Sequence, residues 1–390
     1  MSDDQNGILK TIGLFNDSFP PIMDGVSLTT QNYAYWLQKK NQPVCVITTK
    51  TPDFIDNEPY PIYRYSSIPI IGRKPYRFGL PEIDLMFQNK IDKVSFNLVH
   101  AHCPFSSGKL ALSISKKQNI PLVATFHSKY REDFEHSVYN KYIARQMTNE
   151  IIRFYEKADE VWISQPSVEE TIREYGYKGK IEVVPLGNDF LNNQSVETIK
   201  SQAKTDLQIP GNETVFLYVG QLIWEKNIRM IVESLALIKD LTFKMFFVGN
   251  GYAKEELNQL IINNGLSDKT EFVGLITQRE KLKQYFAAAD LFLFPSTYDT
   301  WALVVREAAA VYTPSVLVEG STIATDITDN LNGFLTKNTT ESFASKLREL
   351  IKNPLLINRV GKNASTSLTR SWESVTEEVL DRYHHLMNRS

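Results

Sequence analysis

The sequence predicts an α/β chain of two doubly wound domains. Three observations carry that prediction. Short apolar, β-branched runs alternate with longer amphipathic patterns, the alternation restarts midway, and 390 residues exceed what one ordinary core organises. The first half reads in order "TIGLF", "TTQNYAYWLQKK", "VCVITT", "LVHAH", "GKLALSISKKQ", "PLVATFH", "ADEVWIS", "SVEETIREYG" and "IEVVPLG". Continuous apolar strands of this length suit a parallel sheet covered on both faces, and strand–helix alternation implies βαβ units. The second half begins with "ETVFLYVGQL" and a helix near Ile228–Lys239, then "TFKMFFVGNG" and a helix near Ala253–Asn263. It continues through "TEFVGL", "REKLKQYFAAAD", "LFLFPS", a helix at Leu303–Val311, "PSVLV" and "NGFLT". Loop residues in Asn188–Gly211 place the break there, giving domains at 1–195 and 196–370. The amphipathic tail, 371–390, either closes the second domain or crosses back onto the first. Open parallel sheets bind ligands at the carboxyl ends of their strands, and two such domains facing across a cleft suit a small-molecule site.

Composition narrows the function classes. Apolar residues make up 42% and charged residues 23%, with a net charge of −2. That balance excludes a dedicated nucleic-acid binder, which carries a basic excess. Cys45 and Cys103 lie far apart beside apolar runs and read as free thiols of a reducing compartment. The acidic start "MSDDQNGILK" has no secretory apolar core, and no run approaches the ~20 apolar residues of a membrane span. The expected location is cytoplasmic, with any membrane contact made peripherally at the inner face.

Chemistry-bearing residues cluster at predicted strand ends. Gly25 stands just before a helix opening near Ser27–Thr30, where a ligand phosphate could approach the backbone; the bland reading is a turn glycine. There is no G-x-G-x-x-G, so a nicotinamide-type fingerprint is missing. Lys226 follows the strand end "YVG" and can neutralise a leaving diphosphate, or be a solvated lysine in a charged turn. His127 ends "PLVATFHS" and aims at the cleft, or is structural. His100 and His102 share a strand face, but a third metal ligand at sensible spacing is missing, and no D-x-D pair holds a divalent ion on a nucleotide. In "STYDTWALVVREAAAV", Asp299 can accept from sugar hydroxyls, and the amides of Trp301, Ala302 and Leu303 open a helix. Glu307 lies eight residues on, at most ~12 Å along a helix. That spans the length from a hexose to a nucleoside ribose. The competing reading is an N-cap aspartate and a surface glutamate.

The whole constellation resembles the retaining glycosyltransferases of family 4 (GT4), with two Rossmann-like domains in the GT-B arrangement. The resemblance covers nearly the full length. It rests on "GLFNDSFPPIMDGVSLTT", "NLVHAHCPFSSGKLALSISKKQNIPLVATFHS", "ADEVWISQPSVEETIREYGYKGKIEVVPLGND", "YVGQLIWEKN", "FVGNG", "FVGLI", "AAADLFLFPSTYDTWALVVREAAA" and "NGFL". It implies that Gly25 and Lys226 flank the donor phosphates and that His127 lies near the transferred sugar. Asp299 falls on the first acid of the family's paired-glutamate motif, for sugar hydroxyls, and Glu307 on the second, for ribose. Leu275 and Ile276 would read the base through backbone contacts. Thr300, Trp301, Ala302 and Leu303 would line the sugar loop, with Gln221 beside the phosphates.

The implied reaction moves a hexose from a nucleotide diphosphate sugar, UDP-glucose in the favoured reading, to an acceptor hydroxyl. The anomeric configuration is retained, without a metal or other cofactor. Four departures stand out: Asp299 is shorter than the usual glutamate, Thr300 and Ala302 replace glycines, Gln221 replaces an arginine, and Tyr312 replaces a glycine. They leave a second reading, a catalytically weak or silent partner protein of the same fold.

On the acceptor side, "IYRYSSIPIIGRKPYRFGLP" interleaves Arg64, Arg73, Lys74 and Arg77 with tyrosines and apolar residues. That mix suits contact with anionic headgroups, with Arg73, Lys74 and Arg77 as the candidate residues, or is a solvated loop. The segment resembles the corresponding part of bacterial diacylglycerol glucosyltransferases, which implies a lipid acceptor; a soluble glycan or polyol is the alternative.

Overall fold

A computed structural model describes residues 11–70, 75–138, 140–191, 195–211, 213–299 and 302–389. The chain divides into two compact units, Met1–Gly187 with Trp372–Ser390, and Asn188–Ser371.

The first unit holds strands β1 (Thr11–Phe15), β2 (Val44–Thr49), β3 (Ile62–Tyr65), β4 (Ser67–Pro69), β5 (Arg77–Gly79), β6 (Phe96–Ala101), β7 (Leu122–Phe126), β8 (Glu160–Ile163) and β9 (Ile181–Val183). Its helices are α1 (Gly25–Lys39), α2 (Leu85–Ile91), α3 (Ser106–Gln118), α4 (Tyr130–Val138), α5 (Lys141–Tyr155) and α6 (Val168–Glu174). Seven strands form one parallel sheet in the order β3-β2-β1-β6-β7-β8-β9, and β4 pairs with β5 as a separate antiparallel hairpin. Every residue of β2 and β7 is buried, as strands covered on both faces must be.

The second unit holds α7 (Val196–Asp206), β10 (Thr214–Val219), α8 (Ile228–Ala236), β11 (Phe243–Val248), α9 (Lys254–Asn263), β12 (Thr270–Gly274), α10 (Arg279–Ala288), β13 (Leu291–Leu293), α11 (Leu303–Ala310), β14 (Ser315–Val318), β15 (Phe334–Thr336), α12 (Thr340–Ile351) and α13 (Pro354–Leu368). Its parallel sheet runs β12-β11-β10-β13-β14-β15. Both sheets therefore reverse direction beside their first strand, at β1/β6 and β10/β13. In an open α/β sheet that reversal opens the crevice where ligands bind.

The division falls earlier than the expected 195/196. The Asn188 amide donates to the Arg370 carbonyl (2.8 Å), and Phe190, buried, meets Phe286 edge-on at 5.8 Å. Residues 188–191 therefore belong to the second core. The last helix, α14 (Trp372–Met387), packs into the first unit. Trp372 meets Tyr33 edge-on (5.4 Å), Tyr383 stacks on Trp162 (5.5 Å), and Lys40 pairs with Glu377 (2.7 Å).

Candidate active site

The second unit builds its site where the strand order reverses. Behind β10, the loops "YVGQL" and "FVGNG" interlock. The Leu222 amide donates to the Asn250 carbonyl (2.9 Å), and the Ala253 amide to the Leu222 carbonyl (3.0 Å). Gly249 has a φ of 137°, and a Cβ there would lie 1.9 Å from the Gly220 carbonyl oxygen, so only glycine permits this approach. The interlock aims a 3₁₀ turn, Trp224–Lys226, across the reversal point. Asn227, at φ 57°, closes the turn and donates to the Pro295 carbonyl (3.3 Å), just past β13. Lys226 Nζ consequently reaches Asp299 Oδ1 at 2.6 Å, while Asp299 Oδ2 accepts from the Ser296 hydroxyl at 2.5 Å. The ammonium also lies 5.3 Å from the Phe294 ring centroid. The side chains of Lys226 and Asp299 are 13% and 18% exposed. This is a half-sheltered pair whose lysine has three N–H donors, one of them on Asp299.

Beyond Asp299, α11 opens at Ala302, whose side chain supplies no cap. The first amides of a helix need outside acceptors, and their partial positive charge favours anionic oxygens. Ala302 and Leu303 are both buried. Thr300 and Trp301 lie outside the described residues.

Glu307 is no surface residue: it is 1% exposed. Arg279 NH2 donates to its Oε1 at 2.6 Å, and the same guanidinium forks onto both oxygens of Asp189 (2.6 and 2.9 Å). Burial pushes the Glu307 carboxyl above the usual range, and Arg279 opposes that push. Burial works against the Arg279 charge, and Glu307 and Asp189 more than offset it, leaving the guanidinium above its ordinary value. Sequence reading missed Arg279 and Asp189. The signal available was their position, each in the loop that follows a strand: Asp189 after β9, and Arg279 after β12 at the start of α10.

The remaining candidates in this unit lie nearby in sequence order. Gln221 is exposed, and its carbonyl accepts from the Tyr218 hydroxyl at 2.8 Å. Leu275, just past β12, is 65% exposed, whereas Ile276 packs against the core. Tyr312 has a φ of 65°, which explains why a glycine is usual there.

In the first unit, Gly25 is the first residue of α1, behind the N-cap Asp24, whose carboxylate accepts from the Ser27 amide (2.7 Å). Gly25 is exposed, and a Cβ there would meet nothing within 4 Å. His127 lies just past β7, its Nε2 3.3 Å from His102 Nδ1. Burial pushes its imidazole down to about 4, so it is neutral at physiological pH. His100 and His102 do share a face, with ring centroids 4.0 Å apart, and belong to a buried cluster. His100 bonds Tyr383 (2.5 Å) and Thr125 (2.7 Å). Among the described residues no group of three or more His, Cys, Asp or Glu could hold a metal ion.

On the suspected acceptor side, Arg77 directs Nε and NH2 onto Ser67 within the hairpin (2.7 and 2.8 Å), and Arg64 forks onto Asp56. Both cations therefore have intramolecular partners. Arg73 and Lys74 lie outside the described residues. Ile68 and Phe78 of this segment are more than half exposed, as are Ile83, Leu85 and Met86 just beyond it.

Two doubly wound units, the second with a lysine–aspartate pair at the head of an uncapped helix, define a glycosyltransferase of GT-B type. Comparison places the chain in a family. Residues 23–190 match the model described as Glycosyltransferase Family 4, and 199–367 match Glycosyl transferases group 1. The chain is a glycosyltransferase of the GT4 type. It is 27% identical over 404 residues to an alpha-monoglucosyldiacylglycerol synthase of Acholeplasma laidlawii, covering 97% of this chain and 99% of that protein. It is 26% identical to the enzyme of that name from Streptococcus pneumoniae, covering 88% and 79%. Among solved structures, the fold is shared with a sucrose-phosphate synthase from Thermosynechococcus elongatus (TM-score 0.80, 21% identity, 98% of this chain and 100% of that one). It is also shared with the Anabaena protein HepE solved with UDP-glucose (TM-score 0.77, 17% identity, 97% and 100%).

Proposed function

We propose that this glycosyltransferase moves a glucosyl group from UDP-glucose to the hydroxyl of a diacylglycerol-type lipid, with retention and without a metal ion. The observation that carries the donor half is the Lys226–Asp299 pair at the reversal of the second sheet, ahead of the uncapped α11. The acceptor half rests on the two monoglucosyldiacylglycerol synthases to which nearly the whole chain is similar.

In this reading the donor lies along α11. Lys226 and the first α11 amides meet the diphosphate, Asp299 holds hexose hydroxyls, and Glu307 accepts from ribose. Leu275 and Ile276 offer backbone groups to the base, and Gln221 stands beside the phosphates. Gly25 and His127 are the first unit's candidates for phosphate and sugar, the imidazole a neutral hydrogen-bonding group rather than a charge. The anomeric C–O bond breaks with its electron pair leaving on the diphosphate. The acceptor oxygen bonds the same face, and its proton passes to the departing diphosphate oxygen. Lys226 stabilises the charge that develops there, a role worth about 3–4 kcal/mol where measured for comparable donors.

The protein would act peripherally at the inner membrane face. Exposed Ile68, Phe78, Ile83, Leu85 and Met86 around the hairpin and α2, and exposed Tyr142 and Ile143 beside Lys141 and Arg145 on α5, are apolar groups that could meet a lipid surface. No helix among the described residues is long and apolar enough to cross a membrane.

The test is a transfer assay with UDP-glucose, UDP-galactose, GDP-mannose and ADP-glucose against dioleoylglycerol in anionic vesicles and against soluble glycans. The expected product is α-glucosyldiacylglycerol from UDP-glucose. Transfer to a soluble glycan alone would refute the lipid assignment, and turnover abolished by a chelator would refute the metal-free route.

A further inference from the structure

We propose that Arg279 and Asp189 are positioning residues for donor binding: Arg279 holds Glu307 as an oriented carboxylate, and Asp189 holds Arg279. The proposal rests on the reading of Glu307 as the acceptor of ribose hydroxyls.

Three elements distant in sequence meet here. Asp189 comes two residues after the chain leaves the first unit, Arg279 opens α10, and Glu307 lies mid-way along α11. Arg279 makes a two-pronged contact with Asp189 (Nε 2.9 Å, NH2 2.6 Å), and NH2 also reaches Glu307 Oε1 (2.6 Å). Its guanidinium lies 4.2 Å from the centroid of the Phe190 ring, which is itself buried against Phe286. Stacking and the fork together fix the plane of the guanidinium.

Helix stability does not explain this arginine. A cation at a helix N-terminus opposes the macrodipole, so α10 is disfavoured by it. Nor does charge balance, since one carboxylate would suffice for one guanidinium. The arrangement does answer what a ribose acceptor needs. A carboxylate as buried as Glu307 tends to take up a proton, and a protonated carboxyl loses acceptor capacity. Arg279 opposes that uptake, while occupying one oxygen and leaving lone pairs for a ligand. The charged groups facing Glu307 are Arg279 from α10 and Asp189 from the crossing segment. Arg306, its neighbour on α11, pairs with Asp326 at 2.7 Å.

The experiment is calorimetric titration of the full chain with UDP-glucose, whose diphosphate diester does not titrate in this range, at pH 6 and pH 8.5. Arg279→Gln is expected to weaken binding about 10-fold at pH 8.5 and about 100-fold or more at pH 6. Loss toward low pH is the sign required, because burial favours the protonated Glu307 and Arg279→Gln removes the cation that opposes it. Arg279→Lys restores a cation without the fork, and its deficit should be the same at both pH values. A deficit for Arg279→Gln that does not change with pH would overturn the proposal, since a purely structural role predicts that result. Should Arg279→Gln fail to fold, Asp189→Asn serves. It leaves Glu307 charged but loosens Arg279, so binding should weaken several-fold with no pH dependence, and unchanged affinity would overturn the proposal. The underlying reading fails separately: if Glu307→Ala leaves UDP-glucose affinity within twofold of wild type, Glu307 is not the ribose acceptor.

Discussion

Replacing Lys226 with methionine separates a structural ion pair from a catalytic cation. Methionine keeps the aliphatic stem and removes the charge. Lys226 Nζ lies 2.6 Å from Asp299, and the two side chains are 13% and 18% exposed. Breaking a half-sheltered charged pair leaves Asp299, among the described residues, with the Ser296 hydroxyl as its side-chain hydrogen-bond partner, at about 2 kcal/mol. For a unit of this size that lowers Tm by about 4–8 °C. Adding Asp299→Asn removes the stranded charge, so the double variant should recover most of the lost stability. Activity should behave differently. If Lys226 stabilises the leaving diphosphate, the single variant loses about 100- to 1000-fold in kcat, and the double variant regains none of it. The assays are differential scanning calorimetry and glucosyl transfer at saturating donor. A double variant with near wild-type turnover, or a single variant that loses stability but less than threefold in kcat, would refute the catalytic role.

Three further outcomes follow from the first unit. Gly25→Val should change stability by less than about 1 kcal/mol, since a Cβ there meets nothing within 4 Å, yet weaken UDP-glucose binding at least 10-fold in calorimetry if that surface borders the phosphates. Tyr383→Phe removes the hydroxyl 2.5 Å from His100 and strands a buried ring nitrogen, so urea denaturation should show a loss of about 1–3 kcal/mol with donor affinity unchanged. His100, His102 and His127 are all held neutral by burial, their proton affinities below the ordinary value of 6.5. The unfolded chain then binds more protons than the folded one below that pH. Stability should be full above pH 6.5 and fall toward pH 4, by up to about 4 kcal/mol per pH unit for the three together, as urea midpoints across that range would show.

Much of the fold could be read from local pattern, because parallel strands buried on both faces leave continuous apolar runs such as "VCVITT" and "LVATF". Lys226 and Asp299 stood out for a related reason: each lies in the loop after a strand, β10 and β13, and loops of neighbouring strands meet where the sheet order reverses. Glu307 was half readable. Its spacing from Asp299 along a helix suggested a second ligand contact, but the sequence cannot tell a buried glutamate from a surface one. That distinction depends on Arg279 and Asp189, which lie 28 and 118 positions away in the chain and become neighbours only on folding. The same limit explains the acceptor side. Arg64 and Arg77 looked free in an apolar, basic segment, whereas pairing with Asp56 and Ser67 uses their donors within the unit. The boundary near 188 was misjudged because loop composition marks where chain is irregular. It does not mark which core claims Phe190.

The most direct measurement is a crystal structure of the protein soaked with UDP-glucose. The account predicts diphosphate oxygens within hydrogen-bond distance of Lys226 Nζ and the first α11 amides, hexose hydroxyls on Asp299 and ribose hydroxyls on Glu307. Nucleotide density that leaves the Lys226–Asp299 and Arg279–Glu307 pairs untouched would contradict it.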